Sequence, residues 1–250
     1  MRIYIITHKP FKKVTNSTIY SPLLVGAYKN CGMEGYLVDN DFEGNISNKN
    51  KSFCELTGMY WIWKQSKEEI VGLCHYRRYF CKYVYLLKKR SVLKEKDIKK
   101  ILSEYDIILP RKGNHYNGYN ARDFFGLKHD IDVWDKCKDI ISDKYPSYLQ
   151  DMEWFEEQRV GYCYNMCIMR KKLFNEYSEW LFSILFELEK VVDIEKYTDY
   201  NARMFGFVSE RLINVWVHHR NLKVKEMSVY FSESPSVYQK VKCKVKKILN

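Results

Sequence analysis

The sequence predicts an α/β protein with a mostly parallel central sheet flanked by helices. Two observations carry this expectation. Short apolar, β-branched runs alternate along the chain with longer segments of helical periodicity. Several of those runs end in polar loops, and in parallel sheets ligands bind where the carboxyl ends of the strands meet such loops. At 250 residues, with 46% hydrophobic and 16% aromatic residues, the chain can bury a sizeable core as one unit. Only 11 Gly and 5 Pro, and no low-complexity tract, exclude a disordered chain.

The elements follow in order. Ile3–Ile6 is a buried strand that runs into Thr7-His8-Lys9 and is stopped by Pro10. Tyr36–Val38 is a second short strand, leading into a polar loop that begins Asp39-Asn40-Asp41. Ser52-Phe53-Cys54-Glu55 spells a capping box and predicts a helix reaching Lys67. Ile70–Cys74 is a strand that delivers the chain into His75-Tyr76-Arg77-Arg78. Residues 86–104 are basic and read as helical, and Tyr105–Leu109 is a strand ended by Pro110. Residues 113–130 read as an aromatic, polar loop, and Asp130–Ser142 as a helix. A second capping-box pattern, Ser147 to Gln150, predicts a short helix before the strand-like Gly161–Met169. Leu173, Phe174, Tyr177, Trp180, Leu181, Ile184, Leu185 and Leu188 fall on one wide helical stripe. Phe207–His218 is a further helix, and Lys223–Phe231 a last strand.

A formal net charge of +11 implies attraction to nucleic acid, acidic lipid or phosphorylated substrates, and does not choose among them. The eight cysteines include no C-x-x-C pair and several lie inside apolar runs, as expected of reduced thiols in a cytoplasmic protein. The N-terminal apolar run is too short for a signal peptide, and no stretch approaches transmembrane length. The expected organisation is one domain over residues 1–232 and a basic tail over 233–250. In that tail Tyr238, Val241, Val245, Ile248 and Leu249 share a helical face, while Lys240, Lys242, Lys244, Lys246 and Lys247 cover much of the rest. This is the pattern of an interfacial helix drawn to an anionic membrane, here the inner face of the cell membrane.

Three polar clusters sit after strands: Thr7-His8-Lys9, Asp39 to Asp41, and His75 to Arg78. Arginine's planar fork suits a diphosphate, and its charge can stabilise a departing nucleoside diphosphate. His75 adds a third positive or hydrogen-bonding group. The alternative for His75, Arg77 and Arg78 is a solvated strand end with a core histidine, and the residues alone leave the two readings level. Asp39-x-Asp41 has the D-x-D spelling that can hold a divalent cation, Mn or Mg, against a diphosphate. So early in the chain, a carboxylate more naturally bonds a base or ribose, and metal binding is the weaker reading. Glu55 is explained by its capping box. Glu210 lies on a helix beside Arg211, where a salt-bridged surface pair is the ordinary explanation. Asp130 and Asp132 open a helix, where acidic residues suit the macrodipole.

Several segments taken together resemble one family. They are the N-terminal strand with THKPF, then GNIS-x-KN, CELTGMYWIWK, VGLCHYRRYF, YNMCIMRKKLFNEYSEWLFSILFELE and FGFVSERLINVW. In that order they are similar to bacterial capsular and exopolysaccharide glycosyltransferases, a family long known as a domain of unknown function. Some of its members are assigned as galactofuranosyl- or galactosyltransferases. The resemblance implies a single GT-A-like domain that binds a UDP-sugar and transfers a hexosyl unit to a glycan or lipid-linked acceptor. By analogy it places Thr7, His8, Lys9 and Asp39 at the nucleoside, and His75, Arg77 and Arg78 where the metal-binding D-x-D normally stands. That substitution puts metal dependence in doubt. Glu210, with Asp130 or Asp132 as lesser choices, takes the place of the catalytic base. Two rival readings stay open: a basic nucleic-acid-binding module, which no recognisable motif supports, and a non-catalytic sugar-binding scaffold.

Overall fold

The computed structural model describes residues 1–84, 89–113, 116–198 and 200–233. The basic tail therefore lies outside the described residues. The strands are β1 (Arg2–Thr7), β2 (Tyr20–Leu24), β3 (Leu37–Val38), β4 (Ile70–His75), β5 (Arg78–Val84), β6 (Lys89–Val92), β7 (Ile107–Pro110), β8 (Cys167–Arg170) and β9 (Val224–Phe231). They form one sheet in the order β3-β2-β1-β4-β8-β7-β9-β5-β6. The helices are α1 (Asn50–Phe53), α2 (Leu56–Gln65), α3 (Glu95–Leu102), α4 (Ala121–Lys128), α5 (Ile131–Lys144), α6 (Leu149–Glu156), α7 (Lys171–Val191) and α8 (Met204–His219).

The sheet is mixed, which corrects the expectation of a mostly parallel one. β3, β2, β1 and β4 run parallel, as do β7 and β9. β8 is antiparallel to both β4 and β7, and β5 is antiparallel to β4, β6 and β9. For β5 the physical cause is the turn Tyr76-Arg77. It pairs His75 with Arg78 and reverses the chain as soon as β4 ends, so β5 cannot run parallel to it.

Core packing follows the apolar stripes. The buried face of α7 carries Phe174, Tyr177, Trp180, Leu181, Ile184, Leu185 and Leu188, packed with residues of α2, α5 and α8. A second apolar cluster, on α3 and strand residues such as Ile3, Ile5 and Ile108, includes Ile98 and Leu102. Each such side chain contributes about 1.5–3 kcal/mol when fully buried. β4 sits so close to its neighbours that a Cβ at Gly72 would lie 2.6 Å from Ile168 and 2.9 Å from Ile3, and only glycine fits.

Other differences from expectation have local causes. β2 escapes the strand pattern because of Pro22, yet β3 pairs only with Leu23 and Leu24, so the missing N–H interrupts no strand pair. The basic run after β5 contains β6 before α3, because alternating polar residues of a hairpin also spell a charged helix face. Residues 121–128 of the expected loop form α4, capped by Asn120, whose side chain accepts from the Asp123 amide at 2.7 Å. Neither expected capping box exists. Ser52 lies inside α1, and Ser147 lies in a 3-10 turn (Pro146–Tyr148) ahead of an α6 that has no side-chain cap. Among the described residues all seven cysteines are unpaired, and no helix is long and apolar enough to cross a membrane.

Candidate active site

β1 and β4 are parallel neighbours, so their carboxyl ends lie side by side, and the turn after each strand decides what it presents. Thr7 is buried, and its hydroxyl donates to Lys9 O at 2.6 Å while accepting from the Lys9 amide. It shapes the turn and has no donor left for a ligand. The turn leaves His8 and Lys9 on the outer side of the strand end, with His8 partly covered by Tyr76.

The turn after β4 is organised around Tyr76, which is 3% exposed. His75 lies against its ring, His8 meets it edge-on at 5.5 Å, and Phe11 packs at 5.8 Å. Lys9 Nζ and the Arg77 guanidinium stand 5.3 and 5.1 Å from its centroid. The chain leaving β9 ties this turn down: the Ser232 amide donates to Arg77 O, and its hydroxyl to Tyr76 O. Arg77 reaches Glu233 at 3.8 Å and keeps a buried Nε without a partner. Arg78 stacks on Tyr164, 4.6 Å from its centroid, and among the described residues makes no ion pair.

Burial and these cations together set the state of the two histidines. Burial, followed by the charges of Arg78 and Arg77, pushes the His75 imidazole down to about 3. Burial, then Lys9, Arg77 and Arg203, lowers His8 as well. His75 is therefore neutral at physiological pH, which leaves the hydrogen-bonding one of its two expected roles. Its Nδ1 accepts from the Arg77 amide at 3.4 Å, which leaves the ring proton on Nε2. Arg203, which the sequence reading passed over, adds its charge at the same place. The signal that finds it is spatial: Arg203 opens α8 and acts on both His8 and Cys54.

Glu210 projects from the middle of α8, its side chain 21% exposed. Arg211 donates to its Oε2 at 3.0 Å, and the Tyr164 amide hydrogen-bonds the carboxylate. Arg211 is only 7% exposed, so this is no surface pair. Burial raises the Glu210 carboxyl above its ordinary value and Glu55 adds to the rise, while the Arg211 and Arg78 charges oppose it. Glu55 lies near Glu210, a correction to its capping role: at the start of α2 its side chain caps nothing, and its Oε1 accepts from Asn165 Nδ2 at 2.9 Å. Tyr164 and Asn165 hold φ of 76° and 27°, two consecutive non-glycine residues in the left-handed region. Strain of this kind concentrates at functional sites.

Four other expected site carboxylates are taken up elsewhere. Asp39 is 1% exposed and accepts from the amides of Gly26 and Ala27 and the hydroxyls of Ser47 and Thr57. With four donors from the protein itself, it joins the loops after β2 and β3 to α2 and has no oxygen turned toward a base or ribose. Asp41 accepts instead from Trp61 Nε1 at 2.5 Å. The two carboxylates of the D-x-D thus face different partners and do not fit a shared divalent ion. Asp130 caps α5 and accepts from Tyr197, while Asp132 pairs with Lys136 one turn on. Among the described residues no contact joins either to Glu210. A cavity of about 740 Å³ lies beyond the loop after β1, between Val14, Ser17, Cys81, Arg90 and Lys94, and none of the residues above lines it.

Residues 2–221 match the profile of a family described as Domain of unknown function (DUF4422). The fold superposes on the apo structure of the WbbM bifunctional glycosyltransferase with a TM-score of 0.82 and 31% identity. That match covers 93% of this chain and 45% of the other, so the chain spans less than half the length of the protein it resembles. Comparison with curated proteins returned no match.

Proposed function

The chain belongs to the DUF4422 family, and from that premise we propose that it is a glycosyltransferase taking a hexosyl unit, galactofuranose or galactose, from a UDP-sugar. Its acceptor is a lipid-linked glycan of a surface polysaccharide, such as a capsular or exopolysaccharide. The likeness to a bifunctional glycosyltransferase supports the reaction class. The observation that carries the reading is that Lys9 and Arg78, which make no ion pair among the described residues, stand after β1 and β4, with the Arg78 charge acting on Glu210, whose pKa burial raises.

In the reaction the acceptor hydroxyl attacks the anomeric carbon, its proton passes to Glu210, and the bond to the UDP oxygen breaks. Ionised Glu210 is suited to this, because a raised pKa makes a stronger base. Lys9, Arg77, Arg78 and Arg203 offer fixed positive charge to the departing diphosphate, with His75 Nε2–H as a neutral donor. Fixed charge of this kind stabilises a leaving group without reorganising during the step. Because Asp39 and Asp41 do not fit a metal, the reading assigns that electrostatic work to the side chains. The lysine-rich tail keeps the enzyme at the inner face of the membrane, beside lipid-linked acceptors.

The test is UDP binding by calorimetry and transfer from UDP-galactose and UDP-galactofuranose, with and without EDTA. UDP binds, Arg78→Ala weakens it roughly tenfold or more, and EDTA leaves transfer intact. Failure of UDP and both donors to bind overturns the reading. Loss of transfer in EDTA overturns the metal-free form of it.

A further inference from the structure

Glu55 has no part in the displacement just described, yet the cleft holds it with care. It stands at the break between α1 and α2, where Cys54 takes φ of 51° and the chain starts a new helix. The Asn165 side chain fastens it. Asn165 Nδ2 donates to Glu55 Oε1 at 2.9 Å and to Gly206 O at 3.0 Å, one helical turn before Glu210. Asn165 Oδ1 accepts from Ser209 Oγ at 2.8 Å, the residue next to Glu210. Both polar atoms of the amide thus work to keep Glu55 beside α8, close enough for its charge to act on Glu210. Two carboxylates held within reach of each other repel, a cost that recurs at functional sites. Among the described residues Glu55 makes no ion pair, and its Oε2 has no hydrogen-bond partner. An ionised carboxylate only accepts hydrogen bonds, so its open oxygen suits hydroxyls and repels phosphate.

We propose that Glu55, positioned by Asn165, binds the acceptor sugar: it accepts a hydrogen bond from a hydroxyl adjacent to the one that Glu210 deprotonates. The site then selects acceptors with two neighbouring hydroxyls. The two carboxylates divide the work, Glu210 taking the proton and Glu55 fixing which hydroxyl is presented. This inference rests on the transferase reading, and the test separates the two.

The probes are UDP, the two UDP-sugars above, and the octyl β-glycosides of galactose, glucose and mannose as acceptors. Glu55→Gln raises acceptor KM about tenfold or more, the loss of a hydrogen bond to a charged group, while UDP affinity stays within about twofold. Asn165→Gly keeps a residue that tolerates the left-handed backbone and removes the amide; it shifts acceptor KM in the same direction and leaves UDP binding in place. Saturation-transfer NMR of the octyl glycosides with UDP present reads acceptor contact without turnover, and Glu55→Gln abolishes it. Unchanged acceptor KM and unchanged NMR contact in Glu55→Gln overturn the inference. So does a wild-type protein that binds UDP but none of the three glycosides, or a Glu55→Gln variant whose UDP affinity collapses. A wild-type protein that binds no UDP overturns the transferase reading itself.

Discussion

The surroundings of Asp39 and of Glu210 treat a carboxylate taken out of water in opposite ways. Around Asp39 four neutral donors converge, two amides and two hydroxyls, and the group is closed off from solvent. Around Glu210 the protein supplies one guanidinium contact and one amide, places a second carboxylate nearby, and leaves a fifth of the side chain open. Saturating a buried anion with donors makes it a structural joint. Leaving it short of donors, beside a like charge, raises its proton affinity and leaves lone pairs open.

The sharpest way to break this contrast is Glu210→Gln. Transfer falls by roughly 10²–10⁴-fold, the range for removing a general base, while calorimetry still detects UDP. Retained transfer returns Glu210 to an ordinary helix residue. Asp39→Ala gives the complementary result. It leaves two amides and two hydroxyls without an acceptor, costs about 3 kcal/mol or more, and lowers Tm by about 6–12 °C at ~2–4 °C per kcal/mol. An unchanged thermal transition removes Asp39 from its role as a joint. The smallest effect sharpens the contrast most. Glu210 acts ionised, so the transfer rate drops as pH falls through its raised pKa, and that acid limb lies above the ordinary glutamate value. The Arg78 charge holds the pKa down, so Arg78→Gln moves the limb to still higher pH; a shift to lower pH, in a pH–rate profile of the residual activity, contradicts the assignment.

How much of this was legible in the sequence depended on how local each cause is. The positions of His8, Lys9 and His75 to Arg78 at the carboxyl ends of β1 and β4 are readable because each of those strands ends abruptly in polar residues. Glu210 is readable only as a position on a helix. Its environment is set by the Tyr164 amide and the Arg211 charge together with the charge of Glu55, 155 residues earlier in the chain. Asp39 misleads for the same reason, since its donors lie 13, 12, 8 and 18 residues away along the chain. Glu55 misleads in the other direction: a four-residue pattern offers a complete local explanation, and the helix break at Cys54 removes it. The mixed sheet was hidden because Tyr76-Arg77 carries none of the usual turn residues, and the hairpin is secured from outside by Ser232.

The Tyr164-Asn165 pair carries a further consequence, for heredity and for the engineer. Left-handed backbone at a non-glycine residue costs about 1–3 kcal/mol, and Tyr164, with φ of 76°, bears it to set its ring against Arg78 and its amide on Glu210. Glycine at 164 relieves that strain and removes the platform under the arginine. Selection for heat resistance alone therefore drives this position toward glycine, while selection for turnover holds the tyrosine in place. A library screened only for survival on heating accumulates robust proteins with a slackened cleft. The residue that makes the fold slightly worse is then the record of what the fold was kept for.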